Sequence, residues 1–247
     1  MKNITLFLTL IVILISSCTK QETAETILKK SVEAHGGDLY QNSIITYNFR
    51  DQNYKLTMDG WKFSYERSFS DSTGSEIIEG MDNKGAYKSL NGVKQDISED
   101  ETARLKYSIN AARYFNVLPL QLINKAVVPK LLGEATIDEQ YYYELEITFR
   151  KEGGGEDYQD RYILWIEKED HLLEYFAYYY HVNGGGSRFR EMVNTRKVGG
   201  LILSDQINYT SESIDRNIED YKTKFVSGDI KKVSEITLKN LEVNRIY

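Results

Sequence analysis

The run Tyr141-Tyr142-Tyr143-Glu144-Leu145-Glu146-Ile147-Thr148-Phe149 admits one backbone geometry. Tyr141, Tyr143, Leu145, Ile147 and Phe149 alternate with Tyr142, Glu144, Glu146 and Thr148. A period of two puts these sets on opposite faces of a strand. The next apolar run, Tyr162-Ile163-Leu164-Trp165-Ile166-Glu167, is apolar on both faces, as a central strand under a helix would be. Working outward, Leu173–Val182, Ser187–Lys197, Leu201–Tyr209 and Val233–Val243 read as further strands. Asn183–Gly186 and Gly199-Gly200 supply turns, and the alternation slips near Asn240-Leu241, as at a bulge. Upstream, Ile45/Tyr47/Phe49, Tyr54/Leu56/Met58 and Trp61/Phe63/Tyr65 repeat the pattern, with Asp59-Gly60 as a hairpin signal. Residues 75–81 and 85–90 are weaker candidates.

Two segments change period. Ala24, Ile27, Leu28, Ser31 and His35 recur at helical spacing and stop at Gly36-Gly37. Ser98 and Glu101 form a capping-box pattern ahead of Leu105, Ser108, Ile109, Ala112 and Phe115 on one helical face. A short apolar piece, Leu120–Val128, is read as helical between Pro119 and Pro129. About ten strands with short turns and no βαβ rhythm exclude a parallel sheet. The expected class is mainly antiparallel β with helices (α+β). An antiparallel sheet this long should curl into an open sheet or half-barrel, its concave face covered by helices 23–35 and 98–116.

The 247 residues are 41% hydrophobic, enough for a substantial core, and carry a net charge of −6. That charge, without a basic cluster interleaved with aromatics, argues against nucleic acid as a partner. The one Cys excludes a disulfide framework and a Cys-rich metal site. Lys2 precedes the apolar run Ile4–Ile15, which is shorter than the roughly 20 residues that a membrane-spanning helix needs. A charged start, a short apolar stretch and then Ser16-Ser17 is the layout of a secretory signal. The expected organisation is a signal peptide over 1–17, an anchor and tether over 18–22 and one domain over 23–247.

His35, His171 and His181 have no metal spacing, and no G-x-S-x-G or phosphate-loop pattern occurs. No cofactor is implied. Glu167, Glu169 and Asp170 read as a charged turn rather than as paired catalytic carboxylates. Arg188 and Arg190 lie two apart and share a strand face, with Arg50 on the first strand as a possible companion. Facing outward they are solvated; facing inward they suit a carboxylate or phosphate head group. The 19 Tyr fit a cavity wall and a filled core equally well.

Ile15-Ser16-Ser17-Cys18 resembles the bacterial lipobox, which implies a diacylglyceryl group on Cys18 and membrane attachment through acyl chains. Thr19, not Asp, follows Cys18, which in enteric-type sorting implies the outer membrane. With a lipobox, the order of elements over residues 23–247 resembles the lipoprotein-sorting half-barrels, both carrier and receptor. The chain is also similar to a family of Gram-negative lipoproteins that share Ala34-His35-Gly36-Gly37, Tyr47-x-Phe49-Arg50, Leu164-Trp165-Ile166-Glu167 and Gly185-Gly186-Ser187-Arg188-Phe189-Arg190 with Asn194. An aldolase name carried by some relatives belongs to a (β/α)8 barrel, which the antiparallel pattern excludes. The resemblance implies a lipid-anchored envelope protein that binds an acyl chain, a lipid or a lipoprotein. Trp61, Phe63, Tyr65, Tyr143, Leu145 and Trp165 are the expected groove lining; His35, Arg50, Arg188 and Arg190 are the expected polar contacts. Alternatives are an envelope hydrolase, which would need those four polar side chains to converge, and a structural lipoprotein with a filled interior.

Overall fold

Both sequence-marked helices start on their caps. In the computed structural model, which describes residues 22–153, 158–181, 185–211 and 217–247, the Thr23 hydroxyl accepts from the Thr26 N–H at 3.3 Å and opens α1 (Ala24–Ala34). The Ser98 hydroxyl accepts from the Glu101 N–H at 3.2 Å and opens α2 (Glu99–Asn116). Only half of the capping box forms there, because the Glu101 carboxylate takes Lys88 at 2.9 Å instead of reaching back. Cys18 and residues 1–17, where a leader is expected, lie outside the described residues, as do Asn183 and Gly184 of the expected turn.

The strands are β1 (Asn42–Phe49), β2 (Gln52–Asp59), β3 (Lys62–Ser70), β4 (Glu76–Asp82), β5 (Gly85–Leu90), β6 (Val93–Gln95), β7 (Val127–Ile137), β8 (Gln140–Phe149), β9 (Arg161–Glu167), β10 (Leu173–Tyr180), β11 (Gly186–Val198), β12 (Leu201–Thr210), β13 (Lys231–Ile236) and β14 (Lys239–Arg245). Every ladder is antiparallel. The order is β14-β1-β2-β3-β4-β5-β6 in one sheet and β13-β12-β11-β10-β9-β8-β7 in the other. The last ribbon of chain therefore belongs to both sheets. The expected continuous curl is a corner between β13 and β14. The buried Asp205 carboxylate pins it, accepting from the Leu238 N–H at 2.9 Å and from Arg196 at 3.0 Å. The bulge read at Asn240-Leu241 is present, with the register slipping opposite Thr46–Asn48. The result is mainly antiparallel β with helices, an open half-barrel whose outer edges are β6 and β7.

The helices occupy the concave side. Ala24, Ile27 and Leu28 of α1 pack with Leu145, Ile147, Leu164 and Phe176 of the second sheet. Ile109 of α2 packs with Ile45, Tyr47, Leu56 and Tyr65 of the first. The outer face of the second sheet is covered by a short 3-10 turn, Ile218–Asp220, and by α3 (Tyr221–Ser227). Ile218 and Tyr221 close over Trp165, Ala177 and Phe189 there. This explains why β9 is apolar on both faces.

Two expectations need correction. Residues 120–128 are not helical; turns lead to Val127, where β7 begins and runs through Pro129. β7 is an edge strand, so the missing Pro129 N–H leaves no ladder bond unmade. The helix α3 was not anticipated, because seven residues are too few to display a helical period.

Candidate ligand groove

The two sheets diverge from their shared corner, and α2 lies across the space between them without filling it. An open cavity of about 1280 Å³ remains. Its apolar lining includes Phe49 and Met58 from the first sheet, Phe115 from α2, and Phe149, Tyr162 and Tyr178 from the second. These rings form a contiguous layer. Phe115 lies 4.5 Å from Tyr178 and 6.0 Å from Phe176, and Tyr162 stacks on Tyr178 at 5.8 Å.

Arg50, Arg188 and Arg190 also line the cavity. Arg50 stands at the rim in the β1–β2 turn, 5.0 Å from the Phe49 ring. Arg188 donates to the Ser187 carbonyl at 2.7 Å and to the Thr210 hydroxyl at 3.2 Å. Arg190 is the deepest, 8% exposed. It donates to Gln206 Oε1 at 2.6 Å and to the Tyr178 hydroxyl at 3.2 Å. Its guanidinium lies 4.3 Å over the Phe115 ring.

The remaining expected residues lie elsewhere. Trp61 is 78% exposed. β3 starts at Lys62, so Trp61 belongs to the hairpin turn and the alternation does not apply to it. Trp165 is fully buried on the opposite face of the second sheet, 5.6 Å from Phe189. On β9 the even positions Tyr162, Leu164 and Ile166 face inward and the odd ones outward. Leu145 faces inward but is sealed beneath α1. Tyr143 sits toward a sheet end, with Lys168 over its ring at 5.0 Å. Phe63 and Tyr65 stack at 4.8 Å in the first core. The Tyr65 hydroxyl there accepts from Arg113 at 3.2 Å.

His35 is 2% exposed and away from the cavity. Its Nδ1 is 2.8 Å from the Ser31 carbonyl, and its own carbonyl accepts from Ile202 at 2.9 Å, joining α1 to the β11–β12 hairpin. Burial lowers its pKa to about 4 against one opposing hydrogen bond that it donates to the Ser31 carbonyl, so it is neutral at pH 7. Gly36, at φ +120°, lets the chain pass the hairpin; a Cβ there would lie 2.6 Å from Leu201 Cδ2. The Ala34–Gly37 motif is thus a packing joint. The four polar side chains that a hydrolase reading requires do not converge. Glu167 is occupied in its own turn, accepting from the Glu169 and Asp170 N–H groups at 2.6 and 2.8 Å.

Sequence reading missed Arg113, Asn116 and Gln206. Arg113 lies beside the apolar stripe of α2 rather than in it, and only the tertiary fold turns it toward the cavity. Among the described residues there is no group of His, Cys, Asp and Glu able to hold a metal, and no helix long and apolar enough to cross a membrane.

A family model described as a family of unknown function, DUF6503, matches residues 2–237. No curated protein matches the chain in sequence. Among solved structures, the chain is similar to a DUF1329 family protein from Desulfovibrio piger, with 15% identity, 90% of this chain and 93% of that one covered, and a TM-score of 0.48. It is similar to a LolA superfamily protein from Nitrosomonas europaea, with 14% identity, coverages of 92% and 94%, and a TM-score of 0.47. A third is an outer membrane lipoprotein-sorting protein domain from Vibrio parahaemolyticus, with 9% identity, coverages of 90% and 93%, and a TM-score of 0.47.

Proposed function

The chain belongs to the DUF6503 family, and on that premise we propose that it is a lipid-anchored lipoprotein of the outer membrane that binds a hydrophobic ligand in its half-barrel groove. The ligand is an acyl chain, a lipid or the acyl portion of a lipoprotein. The observation that carries this reading is the aromatic cavity of about 1280 Å³ between the sheets. It exceeds the roughly 300–1,000 Å³ of ordinary small-molecule pockets, and its ring-lined wall offers apolar area that a hydrophobic ligand would remove from water. The Ser16-Ser17-Cys18 sequence after a short apolar leader supports acylation of Cys18. Acyl chains there would tether the domain beside the lipids that it binds.

Residues 19–247 contain every described helix and strand and can be made without the leader. Native mass spectrometry of this form is expected to show co-purifying lipid, and titration with a fluorescent fatty acid is expected to saturate. A clean apo mass together with no uptake overturns the binding reading. Replacing Cys18 by Ser in the full chain is expected to release the protein from membranes; retention would overturn the anchor.

A further inference from the structure

Three arginines away from the groove hold carboxylates. Arg67 donates to Glu79 at 2.8 Å, Arg161 to Glu219 at 3.1 Å and Arg196 to Asp205 at 3.0 Å. The four that line the groove, Arg50, Arg113, Arg188 and Arg190, have no carboxylate partner among the described residues. The acceptors of Arg113, Arg188 and Arg190 are neutral, namely a carbonyl, hydroxyls and amides, while Arg50 is exposed at the rim. Such partners satisfy N–H groups but leave the charge uncompensated, and a desolvated guanidinium without an anion is costly. With Lys84 and Lys106 against Asp82 and Asp160, the groove lining is net positive on a chain that is acidic as a whole.

Arg190 is the sharpest case. It is more than nine-tenths buried, and its Nε–H has no acceptor. Its orientation is held from behind: the Phe115 carbonyl accepts from Gln206 Nε2 at 2.8 Å, which turns Gln206 Oε1 toward Arg190. The rings of Phe115, Phe176 and Tyr178 surround the guanidinium at 4.3–5.8 Å. Arg113 enters from α2, steadied by Tyr65 and Asn110, and its Nε–H also lacks an acceptor. Two guanidinium groups held in place without a carboxylate, lining the cavity beside an aromatic wall, are complementary to a planar or tetrahedral oxyanion on an apolar tail.

We infer that the groove selects anionic amphiphiles: acyl ligands bearing a carboxylate or phosphate head group, anchored on Arg190, with Arg113 and Arg188 flanking. This rests on the groove-binding reading above and specifies the head group that the reading leaves open.

The test uses residues 19–247 and three probes of equal chain length below their micelle concentrations: dodecanoate, dodecyl phosphate and uncharged monolauroylglycerol. Calorimetric titration is expected to show both anions binding at least about tenfold tighter than the neutral probe, with the advantage shrinking as salt rises from about 50 to about 500 mM. Whichever anion binds tighter identifies the head-group chemistry. In Arg190→Gln the difference between anionic and neutral probes is expected to collapse; in Arg190→Lys part of it returns. Equal binding of all three probes, or a preference that survives Arg190→Gln, overturns the head-group site while the groove reading stands. If no probe binds, both fall. Should Arg190→Gln fail to fold, the salt dependence and probe ranking of the unmodified protein decide the matter alone.

Discussion

The two faces of the second sheet are built from the same strands and end in different states. On the outer face Trp165, Ala177 and Phe189 meet α3, and the Phe189 ring lies 4.8 Å from Phe225. On the inner face Tyr162, Tyr178 and Arg190, from β9, β10 and β11, border the cavity. Residue chemistry alone does not separate the two: both are rich in Tyr and Phe. The difference lies in what comes to rest on each face. The outer face has a helix whose side chains interdigitate with it. The inner face has α1 packed over part of it and the C-terminal end of α2 resting on it at Phe115, with the cavity open beside that contact.

The largest effect should appear where that closure is complete. Trp165→Ala empties a fully buried site and is expected to cost about 3–5 kcal/mol of stability in urea unfolding. Phe49→Ala, at the cavity wall, is expected to cost about 1 kcal/mol or less, since its removal enlarges space that is already open. Equal costs at the two positions would mean that the inner face is packed as tightly as the outer one, and the groove would be lost as an explanation.

Next in size is the joint that holds α1 over the inner face. The folded-state pKa of His35 is lowered to about 4 from 6.5, chiefly by burial. Between those values the unfolded chain binds the proton and the folded chain does not. Stability contributed by neutral His35 is therefore present above pH 6.5, is lost as pH falls, and levels off below about pH 4. The loss is on the order of 3 kcal/mol. His35→Gln should flatten that segment of the stability–pH curve, and hydrogen exchange should show α1 loosening before β9 does. A curve unchanged by the substitution would remove His35 as the cause. Gly36→Ala should cost about 1–3 kcal/mol, from a positive φ and the close approach of Leu201. It should leave Trp165 fluorescence native, since the outer face does not touch the joint.

These contrasts also mark where sequence reading stopped. Strand alternation in residues 141–149 and 162–167 fixes which side chains share a face, because a period of two follows from covalent geometry. Asp59-Gly60 and Gly199-Gly200 were legible as turns because both of those sites adopt positive φ, at Gly60 and at both hairpin glycines. β7 was not legible, since Pro129 and Gly133 look like breakers until the strand is known to be an edge. Trp61 and Trp165 were placed in the groove by extending an alternation past a strand start in one case, and by choosing the wrong face of a doubly buried strand in the other. The arginines were legible as a pair on β11, whereas Arg113 was not, because its partner wall lies 48 residues away on β3.

The smallest expected effect has the opposite sign and bears most directly on the comparison. Arg190 is a buried guanidinium with neutral partners, unlike Arg67, Arg161 and Arg196, which hold carboxylates. Arg190→Met keeps comparable length, fills the ring-lined niche beside Phe115 and removes an uncompensated charge. Tyr178, freed of the guanidinium, borders an open cavity where water can replace it, and Gln206 keeps its bond to the Phe115 carbonyl. Stability is expected to rise by about 1 kcal/mol, since apolar replacement of buried charge is often neutral or favourable. On the outer face the buried Glu144 is paired with Lys222 of α3 at 2.7 Å, so removing its charge breaks an ion pair and is expected to destabilise. A gain at Arg190 would mean that stability is forgone at that position, as expected of a residue kept for binding. A loss of 2 kcal/mol or more would make Arg190 an ordinary structural element of the inner wall.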